Sequence, residues 1–347
     1  MENVLSASLI SNAVQMLLVT LAMLAFVNLV ALVLIYAERK VCAHFQCRLG
    51  PMRVGWHGVL QPVADAVKLL FKESPIPAGA DKLLFIAAPF IPLSATFAVL
   101  AFIPWPVPVE IANLNTGVIF IAAISSLGVL GLLLAGWSSN NKYSLLGAIR
   151  TGAQLISYEL TAALAVMVIV MLSGTLNLQE VVLSQEHGWW IWRGHLPAFV
   201  AFILFTIAAT AECNRTPFDL AEGESELTAG FHTEYAGMKF AVFFLAEFLN
   251  MFVFSALSAT FFFGGWLPFN IAGLDTLNQL MAIIPGAVWF LGKTSLLIFL
   301  MMWFRWTFPR LRIDQMMQLE WKVLLPIGLV NIAVAAIVAV NNCYFFP

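Results

Sequence analysis

Charged side chains make up only 10% of the 347 residues, against 61% hydrophobic. Soluble domains carry roughly 25% charged and 45–50% apolar residues, so a water-soluble fold is excluded. Cysteine is nearly as scarce, at four. Cys42, Cys47 and Cys213 fall on one predicted side and Cys343 near the other, which leaves no outward-facing pair to oxidise. The spacing of Cys42 and Cys47 suits neither zinc nor an iron–sulfur cluster, so no metal site is expected. No strand runs into a glycine-rich nucleotide loop, so this chain is not expected to hold a nucleotide. Repeats, low-complexity tails and a separate soluble domain are also absent. No Lys or Arg precedes the first apolar run, which is longer than a signal-peptide core of about 7–15 residues and is expected to be retained.

What is present is a series of apolar runs near the length, about 20 residues, that carries a helix across roughly 30 Å of hydrocarbon. Eight are read, at 13–36, 83–103, 117–137, 153–172, 196–212, 238–263, 283–303 and 323–341. The expected fold is therefore all-α, a polytopic membrane protein forming a single integral membrane domain. Of 17 Lys and Arg, all but Arg193 and Lys293 lie in the stretches 38–82, 138–152, 213–239 and 304–322. With eight spans these stretches share one side, and the positive-inside rule makes that side cytoplasmic, or the matrix in a mitochondrion. Both termini then face outward. The expected location is the bacterial inner (plasma) membrane, ahead of the mitochondrial inner membrane.

Three features of the inner side carry chemistry. In the first, Val59, Leu60, Val63, Val67, Leu70 and Phe71 recur at helical steps, with Gln61, Asp65, Lys68 and Lys72 opposite. That pattern predicts an amphipathic interfacial helix over about 59–72. It reads either as a surface anchor or as the wall of an opening through which a lipid-soluble molecule enters. Just before it, Glu38, Arg39, Lys40, Arg48 and Arg53 bracket Gly50-Pro51, a cluster suited to anionic lipid or to a carbonyl or quinol oxygen at headgroup depth.

The second feature is an acidic loop. Glu212, Asp219, Glu222, Glu224, Glu226 and Glu234 stand against Arg215 and Lys239 on a side that otherwise favours basic residues. A solvated charge run is the ordinary explanation. Crowded carboxylates also repel, which suits groups that hold and release protons near neutral pH. The third feature is charge within the spans: Glu159 about 9 Å in at roughly 1.5 Å per residue, then Glu247 and Lys293. Each costs about 2.5–3.5 kcal/mol at a helix centre and is expected to face the bundle interior. A Glu–Lys clasp and a graded proton path both account for them.

At these residues the sequence resembles the quinone-site membrane subunit of NADH:quinone oxidoreductase (respiratory complex I), the H subunit in bacteria and subunit 1 in mitochondria. The matching stretches are Glu38-Arg39-Lys40 with Arg48-Leu49-Gly50-Pro51, Leu60-Gln61-Pro62, Gln154 through Glu159, the Glu212–Glu226 loop with Glu234-Tyr235, and Lys293 followed by Arg305, Pro309-Arg310 and Asp314-Gln315. Met52 and Trp56 depart from the family's usual turn and leave its local shape open. The resemblance implies a subunit of a proton-translocating oxidoreductase, without a redox centre of its own. It further implies ubiquinone or menaquinone as the quinone substrate, with flavin and iron–sulfur clusters on partner subunits. Implied partners are the quinone-proximal iron–sulfur subunit and its peripheral-arm neighbours, small membrane subunits, antiporter-like subunits and membrane lipid, with no nucleic acid.

By the same matching, Arg39, Arg48, Arg215, Arg305 and Arg310 line or shape the quinone path. Glu159, Glu212, Asp219, Glu222, Glu224, Glu226, Glu234, Glu247 and Lys293 belong to proton movement or coupling. A related hydrogenase membrane anchor departs further from the Glu212–Asp219 pattern. A secondary transporter would carry internal repeats and interrupted helices in corresponding halves.

Overall fold

The computed structural model describes residues 2–106, 112–220, 227–270 and 275–341, and among them every regular element is helical. The chain forms two compact units, residues 1–67 and residues 68–347. Among the described residues, eight helical segments are long and apolar enough to cross a membrane: Met16–Phe45, Lys82–Phe102, Gly117–Ser138, Lys142–Ser173, His195–Glu212, Gly237–Phe262, Gly286–Thr307 and Ile313–Val340. The chain is an all-α, polytopic membrane protein.

In the first unit, α1 runs from Glu2 to Phe45 without a break. The sequence reading ends this span at 36 and leaves Glu38, Arg39 and Lys40 in a loop. No glycine or proline interrupts the chain before Gly50-Pro51, so the helix continues and carries those three side chains on its last turns. Beyond it Gly58 holds φ +80°, and a Cβ there would lie 2.2 Å from the Pro51 carbonyl oxygen. That close approach folds 51–58 into a tight turn, which leads into the expected amphipathic helix, α2, Gln61–Phe71. Its apolar stripe, including Val63, Val67, Leu70 and Phe71, is exposed in the isolated chain.

The second unit contains α3 (Lys82–Ala87) and α4 (Phe90–Phe102), which make one span broken at Pro89, then α5 (Gly117–Ser138) and α6 (Lys142–Ser173). Two short helices, α7 (Leu178–Leu183) and α8 (Trp190–Arg193), precede α9 (His195–Glu212) and α10 (Gly237–Phe262). After α11 (Asp275–Ala282) and α12 (Gly286–Thr307), the last span is compound. It starts as α13 (Ile313–Leu319), loosens into a π turn over Glu320–Leu324 and continues as α14 (Leu325–Val340). The sequence reading begins this span at 323, because Glu320 and Lys322 look like loop residues.

Hydrogen bonds between connections define two ends of this bundle. At one end the Asp81 amide donates to Ser138 O at 3.1 Å, Ser144 Oγ to Phe231 O at 2.7 Å and the Leu311 amide to Pro217 O at 3.0 Å. At the other, the Val118 amide donates to Leu176 O at 3.1 Å and Gln185 Nε2 to Thr260 O at 2.9 Å. The spans of this unit thus alternate in direction, and the described residues 213–220 and 227–236 lie at the same end as its basic connections.

Helix α6 is central: it packs against α5, α9 and α14, and through Gly147 against the turn Gly230–His232. A Cβ on Gly147 would stand 2.9 Å from Gly230 backbone atoms, so only hydrogen fits there. Below that contact Phe85 stacks on Tyr235 with centroids 4.1 Å apart, inside a cluster with Leu132, Leu155, Phe231 and Phe243. Gly147→Leu should lower stability by about 1–3 kcal/mol, as overpacking does. Thermal unfolding in detergent measures this, and a parental midpoint would disprove the close packing.

Candidate functional site

The polar groups of the second unit gather where α9 ends. Gln154, wholly buried on α6, donates from Nε2 to Ala211 O and to Phe218 O, both at 2.8 Å. Those bonds satisfy carbonyls at the end of α9 and in the turn after it, both buried, where an unmet carbonyl is costly. They also fix the 211–218 turn that begins the acidic loop. Within it Arg215 is buried with its guanidinium 4.6 Å from the Phe248 ring centroid. Tyr158 packs on Phe218 at 5.1 Å from the α6 side.

Two small cavities share Glu212, Asn250, Ser125, Gly128 and Pro92 in their walls. One, of about 50 Å³, also meets Thr96, whose Oγ1 donates to Asn250 Oδ1 at 2.6 Å. The other, of about 40 Å³, reaches Glu247 and Asn214. A water needs roughly 10–15 Å³ of such space and two to four polar partners, so each cavity has the size and lining for a few waters. Glu159 lies near enough to Glu212 for their charges to interact. Burial holds the Cys213 thiol above its usual range, with Arg215 opposing and Glu212 and Glu247 adding to the shift. Glu159, Glu212 and Glu247 therefore form one neighbourhood.

The remaining predicted residues are distributed more widely. Glu234 accepts from Asn141 Nδ2 at 2.6 Å and Asp219 is half-buried beside Phe218. Glu222, Glu224 and Glu226 lie outside the described residues, as does Cys343. Arg305 lies 5.5 Å from the Trp306 ring centroid, and Arg310 adjoins Leu311, which bonds the 211–218 turn. In the first unit Arg39 pairs with Asp65 at 2.5 Å, while Arg48 Nε donates to Gln46 Oε1 at 2.7 Å.

Lys293 is separated from the glutamates. Its ammonium donates to Phe263 O at 2.6 Å, Gly265 O at 3.0 Å and Leu267 O at 2.6 Å, capping the far end of α10. It lies 4.4 Å from the Trp189 ring centroid, on the wall of an apolar cavity of about 410 Å³. A clasp between Lys293 and a span glutamate, one of the two readings of the sequence, is not formed. The favourable end of the α10 dipole accounts for the cation instead.

The sequence reading missed Glu320. This side chain is wholly buried, and Thr161 Oγ1 donates to its Oε1 at 2.5 Å. No glycine or proline separates Ile313 from Lys322, and that uninterrupted stretch is the signal that places Glu320 inside the span. Asn250 and Thr96 were missed as well, because uncharged polar residues do not stand out within an apolar run.

The sequence profile of the family described as NADH dehydrogenase matches residues 17–336. The chain belongs to this family. It is 53% identical over 323 residues, 93% of this chain and 90% of the relative, to the H subunit of NADH-quinone oxidoreductase from Bacteroides thetaiotaomicron. It is 50% identical over 332 residues to the H subunit from Bacteroides fragilis, covering 96% of this chain and 93% of that one. With the H subunit numbered 2 of the Geobacter metallireducens NADH-quinone oxidoreductase, the identity is 47% over 346 residues, covering 94% of this chain and 95% of the relative. The family is the one that the acidic loop and the span charges resemble.

Near the loop, His232 packs edge-on against Phe231 at 4.8 Å, and burial lowers its imidazole to about 4 from an ordinary 6.5. The unfolded chain therefore binds the proton first, so stability contributed by neutral His232 is present above about pH 6.5 and lost as pH falls towards 4. His232→Phe should flatten that acid-side loss in thermal unfolding scans. Equal slopes for the two proteins would remove His232 as its cause.

Proposed function

We propose that this chain is a membrane subunit of a proton-translocating NADH:quinone oxidoreductase, in which it takes part in quinone binding and couples quinone reduction to proton movement. The observation that carries the reading is the pair of small cavities between membrane-spanning helices, both lined by Glu212 and Asn250 and one also by Glu247 and by Asn214 of the 211–218 turn. Carboxyls facing such cavities exchange protons through hydrogen-bonded chains, whereas a clasp would seal them against a cation. Among the described residues neither Glu159 nor Glu212 forms a salt bridge, so no cation clasp accounts for them.

On this reading Glu159, Glu212 and Glu247 carry protons, and Asp219, Glu222, Glu224, Glu226 and Glu234 link them to the inner surface. Lys293 acts from the far end of α10, through the loop that it holds. Arg39 and Arg48 in the first unit, and Arg215, Arg305 and Arg310 in the second, are the proposed quinone-path residues. Electrons for the quinone would come from an iron–sulfur cluster on a partner subunit, and flavin and clusters belong to partners. The other partners are peripheral-arm, small membrane and antiporter-like subunits, together with lipid. The basic connections face the cytoplasm of a bacterial inner membrane and the termini face outward.

Two measurements test this. Cys47 is exposed while Cys42 and Cys213 are buried, so an impermeant maleimide should label Cys47 in inside-out vesicles and leave it untouched from the outer face. Outward labelling of Cys47 would reverse the orientation. In sealed vesicles, Glu212→Gln and Glu159→Gln should cut both quinone reduction and the proton gradient in a fully assembled complex, with Asp retaining part of each. An amide keeps shape and hydrogen bonding but has no exchangeable acid proton, so parental rates in both Gln variants would refute proton transfer at these residues.

A further inference from the structure

Gln154, Tyr158 and Thr161 stand at i, i+4 and i+7 on α6, and all three are wholly buried. They form a polar stripe on one face of a membrane helix. Its first member bonds the 211–218 turn, as described. One turn further in, Tyr158 touches Phe218 and donates to Met316 O at 3.3 Å, and its phenol is close enough to Glu320 to feel that carboxylate's charge. One turn beyond, Thr161 meets the Glu320 carboxyl. The stripe thus leads from the start of the acidic loop to a carboxyl on a different span from Glu212 and Glu247.

A purely structural role accounts poorly for Glu320. Its Oε2 is buried and accepts no hydrogen bond, and among the described residues it forms no ion pair. A carboxyl so placed costs several kcal/mol unless neutralised or paired, and a leucine or methionine would fill the position without that cost. It also opens the π turn Glu320–Leu324, a distortion that recurs at functional sites. The facing groups are Tyr158 and Thr161 from α6, with Glu159 on the adjacent face of that helix; Asp314 on α13 and Lys322 in the π turn are exposed.

We propose that Glu320 is a proton-holding carboxyl of this chain, reached from the 211–218 turn along the Gln154–Tyr158–Thr161 stripe as a branch separate from the Glu212–Glu247 cavities. The inference rests on the proposed function above and adds a residue to it. Taking up a proton forms one O–H bond at Glu320 and returning it breaks that bond. Gln154 fixes the turn and passes no proton itself; the Tyr158 and Thr161 hydroxyls each accept one proton as they release one, so no redox partner is involved.

The test uses the assembled complex in sealed vesicles and reads the proton gradient at a matched rate of quinone reduction. Glu320→Gln should lower that gradient severalfold, and Glu320→Asp should recover more of it than Gln does. A structural hydrogen bond to Thr161 would give the opposite order, since Gln keeps the length and shape of Glu. Infrared difference spectra should also lose one deuterium-sensitive carboxylic C=O band in Glu320→Gln. An unchanged gradient, or Gln matching Asp, overturns the proposal. If Glu320→Gln does not assemble, Thr161→Val decides: the near-isosteric change should lower the gradient, and a parental gradient overturns the branch. Glu212→Gln run alongside separates the two claims. A defect there with none in the Glu320 variants removes only this branch, whereas no defect in any of them removes the underlying proton-path reading.

Discussion

One side-chain amide, donated from the middle of a helix to two backbone carbonyls, holds the functional end of this molecule together. Gln154 meets Ala211 O and Phe218 O at the point where α9 stops and the chain turns back, buried among the packed helices. A helix end there cannot turn to bulk water, so its carbonyls need donors from neighbouring helices. Once the turn is fixed, Glu212, Asn214, Arg215 and Phe218 all take defined places. The cavities around Glu212, the Arg215–Phe248 contact and the Leu311–Pro217 hydrogen bond then follow from that geometry.

The two ends of the bundle satisfy the same constraint with different chemistry. At the acidic-loop end, carboxyls, amides and hydroxyls face small cavities and one another. At the other end, carbonyls converge on a single ammonium flanked by tryptophans. The first arrangement can rearrange its hydrogen bonds at little cost because most of its members both donate and accept. The second joins only donors on one side to only acceptors on the other, and is fixed accordingly.

Much of this was legible in the sequence. The apolar runs and the basic connections between them placed the helices and their alternation, because those signals come from length and local composition. Glu159, Glu212 and Glu247 were legible as individual residues, since a carboxylate within or beside an apolar run stands out; that they meet was not. What escaped depended on tertiary context. Glu320 looked like a loop residue because its helix bends through a π turn before the strongly apolar part begins, and no local pattern announces such a turn. Lys293 was grouped with the glutamates because a sequence shows depth along one helix but not which end of a neighbouring helix that depth meets. Its three carbonyl partners come from the end of α10, which the spacing within α12 does not reveal.

The saturated state of Lys293 has a mechanical consequence. An ammonium has three N–H donors, and here each is engaged by a different carbonyl of the 263–267 connection. No N–H remains to bind a second group, so Lys293 cannot exchange partners one at a time as a hydroxyl can. It acts as a latch: any change at this position releases backbone of the α10 end, and any displacement of that end strips partners from a cation in an apolar pocket. Lys293 thereby ties α12 to the end of α10, the same helix that carries Glu247 and Asn250.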